Sequence, residues 1–157
     1  MFDTQIDDLI SFDANFAPAN IDKARILGAE TGATLAVRDW TVDAGLTFLN
    51  AQSSAGFTDG NQLPRRPEFT GRVDVQRRIQ NWTLGARLAS QGSSFDDSAN
   101  TRRVPGFTLL GLRAEYRLGD AWRMLARIEN VFDRQYETVA FYNQPGRAAY
   151  LTLRYGK

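Results

Sequence analysis

The sequence predicts an all-β protein of about eight long antiparallel strands. Three observations carry this. Runs of roughly ten residues alternate apolar and polar side chains, which is the period-two signature of a strand. Short polar turns alternate along the chain with long loops rich in Gly, Asn, Asp, Ser and Pro. Three tryptophans, Trp40, Trp82 and Trp122, each stand first after a short turn. Strands of this length, with short turns on one side and long loops on the other, fit an antiparallel transmembrane β-barrel portion. Ten residues at about 3.3 Å each reach about 33 Å, enough to cross a bilayer core with tilt.

Each element is justified by its own pattern. Residues 1–11 form a weak strand with a bulge expected near Asp7-Asp8. Lys23–Val37 alternates softly through Leu27, Ala29, Ala33 and Leu35, with Glu30 opposite. From Trp40, Val42, Ala44, Leu46 and Phe48 oppose Thr41, Asp43, Gly45 and Thr47. Phe69–Ile79 is the cleanest window, with Phe69, Val73, Val75 and Ile79 against Thr70, Arg72, Asp74 and Arg78. Arg77 breaks its apolar face near a turn, where a long stem can snorkel. Trp82, Leu84, Ala86 and Leu88 open the next strand, and Leu110, Leu112, Ala114 and Tyr116 the one after. Trp122, Met124, Ala126 and Ile128 follow, with Leu125 as an apolar exception on the polar side. Ala149, Leu151, Leu153 and Tyr155 complete the set. The long loops span residues 12–22, 54–67, 93–106 and 131–146.

The short turns are Arg38-Asp39, Gln80-Asn81 and Leu118-Gly119-Asp120-Ala121. Identical placement after them puts Trp40, Trp82 and Trp122 at one level, at one end of the sheet. Indole has an apolar body and a polar N–H, so a membrane–water interface favours such a ring. These three are the expected membrane-interface residues, with outer-membrane lipid as the partner and the short-turn side periplasmic.

Composition excludes much chemistry. The chain has no His and no Cys. A Ser-His-Asp triad, a Cys nucleophile and a His/Cys zinc site are therefore unavailable. No phosphate-binding glycine loop is present, and a net charge of +1 gives no case for nucleic acid. No catalytic residue, metal site or cofactor is expected. No stretch approaches the roughly 20 apolar residues of a membrane helix, and residues after Met1 lack a secretory signal pattern. Asp7-Asp8 and Asp96-Asp97 suit calcium in residue type, but without spaced further ligands they read as solvated loop charge. Arg65-Arg66, between Pro64 and Pro67, suits an anionic or amide-rich ligand, or pairs with Glu68 and Asp74. Alternation alone also fits a soluble β-sandwich, although sandwich strands are usually shorter. The Trp spacing suggests propeller blades, but each interval holds two long strands rather than four short ones.

The last third carries the most specific signal. Ile128-Glu129-Asn130-Val131-Phe132-Asp133-Arg134-Gln135-Tyr136-Glu137-Thr138-Val139 is followed by Phe141-Tyr142-Asn143-Gln144-Pro145-Gly146-Arg147. This resembles the closing segment of TonB-dependent outer-membrane receptors. Asn130 and Asp133 would end one strand by local hydrogen bonds, and Pro145-Gly146 would make the turn back. Ile6-Asp7-Asp8-Leu9-Ile10, Lys23-Ala24-Arg25-Ile26-Leu27-Gly28-Ala29-Glu30 and Tyr136-Glu137-Thr138-Val139 resemble the cobalamin-receptor branch. The resemblance implies that residues 1–157 are the C-terminal part of a 22-stranded barrel in the cell outer membrane. The family's plug domain and its TonB-contacting N-terminal region have no counterpart in these residues, so the resemblance implies no active import by this chain alone. It further implies a transported corrinoid, with a ferric siderophore as alternative, and makes Arg65 the ligand-binding candidate. A stand-alone eight-stranded structural or adhesive barrel, needing no ligand, is the alternative from another class. It would have to fill its interior with Arg72, Arg87, Arg113, Glu115 and Arg117.

Overall fold

Alternating strands joined by tight turns leave the chain little choice but to pair with its sequence neighbour. The computed structural model describes residues 1–8, 10–12, 17–20, 23–54 and 56–156. Its strands are β1 (Phe2–Asp7), β2 (Ile10–Phe12), β3 (Pro18–Asn20), β4 (Lys23–Val37), β5 (Trp40–Ser53), β6 (Phe69–Ile79) and β7 (Trp82–Gln91). There follow β8 (Ser94–Phe95), β9 (Arg103–Val104), β10 (Phe107–Leu118), β11 (Trp122–Glu129), β12 (Glu137–Val139), β13 (Tyr142–Asn143) and β14 (Ala148–Tyr155). A single 3-10 turn, Gly56–Thr58, is the only helical element among the described residues.

Eight strands form one antiparallel sheet in the order β1-β4-β5-β6-β7-β10-β11-β14. It is an up-and-down wall. Its edges, β1 and β14, pair only with β4 and β11 among the described residues, so these eight strands form no closed barrel. The other six strands make three two-stranded ribbons inside the long loops.

The register sorts β4, β5, β6, β7, β10, β11 and β14 into the same two faces, whereas β1 turns Asp3 and Gln5 to the outer face and Phe2 and Ile6 to the inner one. Leu35↔Val42↔Val75↔Ala86↔Leu112↔Ile128↔Ala149 is one continuous apolar row across seven strands. Many side chains of this face stand in the open: Leu46, Phe48, Leu88, Leu112, Leu151 and Leu153 are all exposed. The opposite face carries Thr34, Asp43, Asp74, Arg87, Arg113, Arg127 and Tyr150. Apolar side out and polar side in is the arrangement of a barrel wall, with lipid outside and an aqueous lumen inside.

What little dry core exists lies on the polar face at the long-loop end. There Ala24, Ala51 and Leu63 are buried, with Ile6, Ile26 and Leu49 packed against them. Leu63 belongs to the loop after β5, and its N–H bonds the Ala51 carbonyl at 2.9 Å. That loop therefore folds inward over the lumen side.

Three local expectations change. The first strand ends at Asp7; Asp8 takes φ 57°, and Ile10–Phe12 turns away to pair with Pro18–Asn20. The third short turn is Gly119-Asp120-Ala121, because Leu118 still pairs with Trp122. Chain reversal in the last loop occurs at Ala140-Phe141, between β12 and β13, and not at Pro145-Gly146. The Phe141 backbone at φ 70° makes that reversal.

Candidate functional site

The polar face is organised around Asp74. Arg113 Nη1 and Nη2 donate to its two oxygens at 2.9 and 2.6 Å, and Arg87 Nε adds a third bond at 3.0 Å. Arg113 stands two strands away and must cross β7 at Gly85. A Cβ at Gly85 would lie 2.6 Å from the Arg113 guanidinium carbon, so glycine is what lets the side chain lie flat against the wall. Bidentate pairing makes this a strong interaction. Nearby, Thr34 Oγ1 donates to Asp43 at 2.6 Å. Toward the loop end the same face opens into a cavity of about 600 Å³, lined by Glu30, Thr47, Thr70, Arg72, Gln91 and Phe107 among others. Polar groups of both signs around one hollow suit water and polar ligands or protein segments, not lipid.

Above this face the loops are zipped together. Asn100 and Gln62 exchange hydrogen bonds, Asn100 Oδ1 accepting from the Gln62 N–H and Nδ2 donating to the Gln62 carbonyl, both at 2.8 Å. Asn61 Nδ2 donates to the Ser98 carbonyl at 3.0 Å. Asp97 is buried and accepts from the Thr101 hydroxyl at 2.7 Å, the Thr101 N–H and the Arg102 N–H. Burial alone would raise the Asp97 carboxyl. The bonds from Thr101 and Arg102 outweigh it and hold the group below the usual carboxylate range.

Arg65 is part of this zipper. Its N–H bonds the Phe95 carbonyl at 2.6 Å, its φ is 57°, and its Nε donates to Asp96 Oδ1 at 2.7 Å. The Asp96 side chain is 1% exposed and that of Arg65 is 42% exposed. Asp96 Oδ2 is buried without a hydrogen-bond partner among the described residues. One side of the guanidinium is thus anchored while the rest borders a cleft of about 730 Å³ shared with Val139, Ala140, Phe141, Tyr142 and Gln144. The expected pairing of the Arg65-Arg66 stretch with Glu68 and Asp74 is replaced: Arg65 pairs with Asp96, and Asp74 is taken by Arg87 and Arg113. Asp96-Asp97 are correspondingly buried structural acids rather than solvated charge. Among the described residues no cluster of three or more acidic side chains could hold a metal ion.

The far wall of the cleft is the loop between β11 and β14. Asn130 is buried, and its side chain accepts from the Arg134 N–H at 2.9 Å and donates to the Arg134 carbonyl at 2.8 Å. Asp133 Oδ1 accepts from the Arg147 N–H at 2.7 Å, and a Cβ at Gly146 would collide with it at 2.6 Å. These contacts stop β11 and aim the chain at β14. They leave Phe141 and Tyr142 at the loop tip, 80% and 68% exposed. Sequence reasoning missed both aromatics as cleft residues, and missed Asp96 as the anchor of Arg65.

At the short-turn end of the wall each of the three tryptophans opens a strand on the apolar face, each just under half exposed. Trp82 packs on Tyr116 with ring centroids 4.6 Å apart, and Trp122 on Tyr155 at 4.8 Å. The Arg77 guanidinium lies 5.0 Å over the Trp40 ring. This charge on the apolar face is therefore stacked on an aromatic, while Arg25 and Asp3, at the long-loop end of the same face, pair with each other.

The family model described as TonB dependent receptor-like, beta-barrel, matches residues 1–131. The chain belongs to the TonB-dependent receptor family. Members of this family sit in the outer membrane, and the chain is a wall of such a barrel. The Vitamin B12 transporter BtuB of Photobacterium profundum is 29% identical over 162 residues, covering 98% of this chain and 26% of that protein. A probable TonB-dependent siderophore receptor, PiuA of Acinetobacter baumannii, is 26% identical over 87% of the chain and 21% of its own length. The chain thus spans about a quarter of the relatives it matches. Among solved structures, PiuA from Acinetobacter baumannii superposes with a TM-score of 0.84 at 22% identity, covering 98% of this chain and 25% of that one. The ferric citrate transporter FecA, in its unliganded form, superposes with a TM-score of 0.78 at 27% identity, covering 90% of this chain and 25% of that one.

Proposed function

We propose that this chain is the C-terminal barrel portion of an outer-membrane receptor that takes up a corrinoid, cobalamin, by TonB-dependent transport. The observation that carries the reading is the 29% identity to a vitamin B12 transporter over 98% of the chain. The role is transport, and no enzymatic step is assigned. Arg65 is the ligand contact in this reading. Its guanidinium is steadied by Asp96 and borders the cleft shared with Phe141 and Tyr142. An anchored donor beside aromatic faces suits a large amide-bearing ligand, because little side-chain freedom is lost on binding. TonB would engage through the N-terminal region of the full-length receptor. Trp40, Trp82 and Trp122 would seat the short-turn end at the periplasmic membrane interface.

Arg65→Ala in the full-length receptor tests the ligand. Losing a charge-assisted contact should cost roughly 1.5 to 3 kcal/mol, about tenfold or more in cyanocobalamin affinity. Unchanged affinity removes Arg65 from the site. No corrinoid binding by the intact receptor removes the cobalamin reading. A second reading, uptake of a ferric siderophore, is then favoured by the 26% identity to a probable siderophore receptor.

A further inference from the structure

At the short-turn end of the lumen face, three arginines stand in one row. Arg117 pairs in register with Arg123, and Arg123 with Arg154, so β10, β11 and β14 each contribute one guanidinium at the same level. All three side chains are exposed, and none makes an ion pair among the described residues. Higher on the same face the pattern differs. Arg87 and Arg113 share Asp74, and Arg127 lies 3.5 Å from Glu129. The nearest carboxylate by register is Glu115, one rung above and opposite Leu125, and it too makes no ion pair; Asp120 lies in the adjoining turn. Like charges directly opposite one another weaken a sheet, so the row carries a cost that a counter-charged partner would offset.

We infer that Arg117, Arg123 and Arg154 form a docking row for an extended, acidic polypeptide segment lying against the lumen wall. Geometry selects the occupant. Strand spacing near 4.8 Å spreads the row over about 10 Å. Carboxylates on alternate residues of an extended chain stand about 7 Å apart, so two of them bridge three guanidiniums. One small anion cannot span the row. Anionic lipid is on the wrong side: Trp122 and Tyr155, next in sequence to Arg123 and Arg154, occupy the apolar face. Relatives of this chain carry about three quarters of their length outside the matched region, so polypeptide for the role is present in the receptors it resembles.

The test uses the folded chain in detergent micelles and a fluorescent peptide with glutamate at alternate positions. The account expects binding that fades between about 0.05 and 0.5 M salt. Replacing all three arginines by Gln should weaken it by about tenfold or more, while Arg→Lys at the same positions preserves it. Circular dichroism verifies equal β content in each variant. Should the triple Gln variant lose its fold, Arg123→Gln alone, at the centre of the row, should still weaken binding several-fold. Equal binding by the Gln variants, or by a peptide with Gln in place of Glu, overturns the proposal. Displacement of the peptide by inorganic phosphate at matched charge overturns the polypeptide assignment in favour of a small-anion site.

Discussion

Asp97 draws a hydroxyl and two backbone N–H groups onto one buried carboxylate, and the loop between β7 and β10 takes its shape from those bonds. Removing the acceptor strands buried donors, a loss of roughly 1 to 3 kcal/mol of local order. Asp97→Ala should therefore speed proteolytic cleavage within residues 92–106 at neutral pH without loosening the strands. The pH dependence has a definite sign. The folded carboxyl is held below its ordinary value of 3.8. Its contribution is thus complete above that value and is lost as pH falls through the lower folded value. Cleavage of this loop, followed down the pH scale with an acid-tolerant protease, should accelerate only in that acid range. The difference between wild type and Asp97→Asn should vanish there. A difference that persists unchanged at the lowest pH would show that the carboxylate charge is not what orders the loop.

Single strands carry the two-sided logic, and β11 shows it in adjacent residues. Ala126 belongs to the apolar face, opposite Ala114 and Leu151, about 13 Å along the strand from Trp122. Leu125 faces the lumen opposite Glu115. Ala126→Arg should cost roughly 2 to 4 kcal/mol near the bilayer midplane. Leu125→Arg should cost under about 1 kcal/mol, because water and Glu115 receive the charge. Urea unfolding of the receptor in lipid vesicles measures both, and equal costs would mean that the faces are misassigned. Such strands were legible from residues alone. Lys23–Val37, Phe69–Ile79 and the starts at Trp40, Trp82 and Trp122 were all set by period-two alternation between turn signals. The loops were not. The β8–β9 and β12–β13 ribbons are too short to show a period. The Arg65–Asp96 pair joins residues from different loops, which no local pattern encodes. Pro145-Gly146 has turn-forming composition, yet Gly146 is used for its close approach to Asp133.

The whole molecule is a wall with one face for lipid and one for a lumen. Whether eight strands close on themselves was beyond the sequence, because closure depends on tilt and shear rather than on any residue pattern. The structure leaves β1 and β14 as open edges among the described residues. Unpaired edges invite further strands, and about three quarters of the length of the matched receptors lies outside the matched region. The central claim is that the exposed apolar face meets lipid and ends in a tryptophan level at the interface. The chain holds only three Trp, so its intrinsic emission reports that level directly. The decisive measurement is quenching of this emission for the chain inserted in vesicles of brominated lipid, compared with quenching by aqueous acrylamide. The account predicts strong quenching by bromines placed near the headgroups, weaker quenching by bromines at the bilayer centre, and little by acrylamide. Emission untouched by brominated lipid, from a chain that stays compact and monomeric without detergent, would contradict it and identify a soluble sandwich.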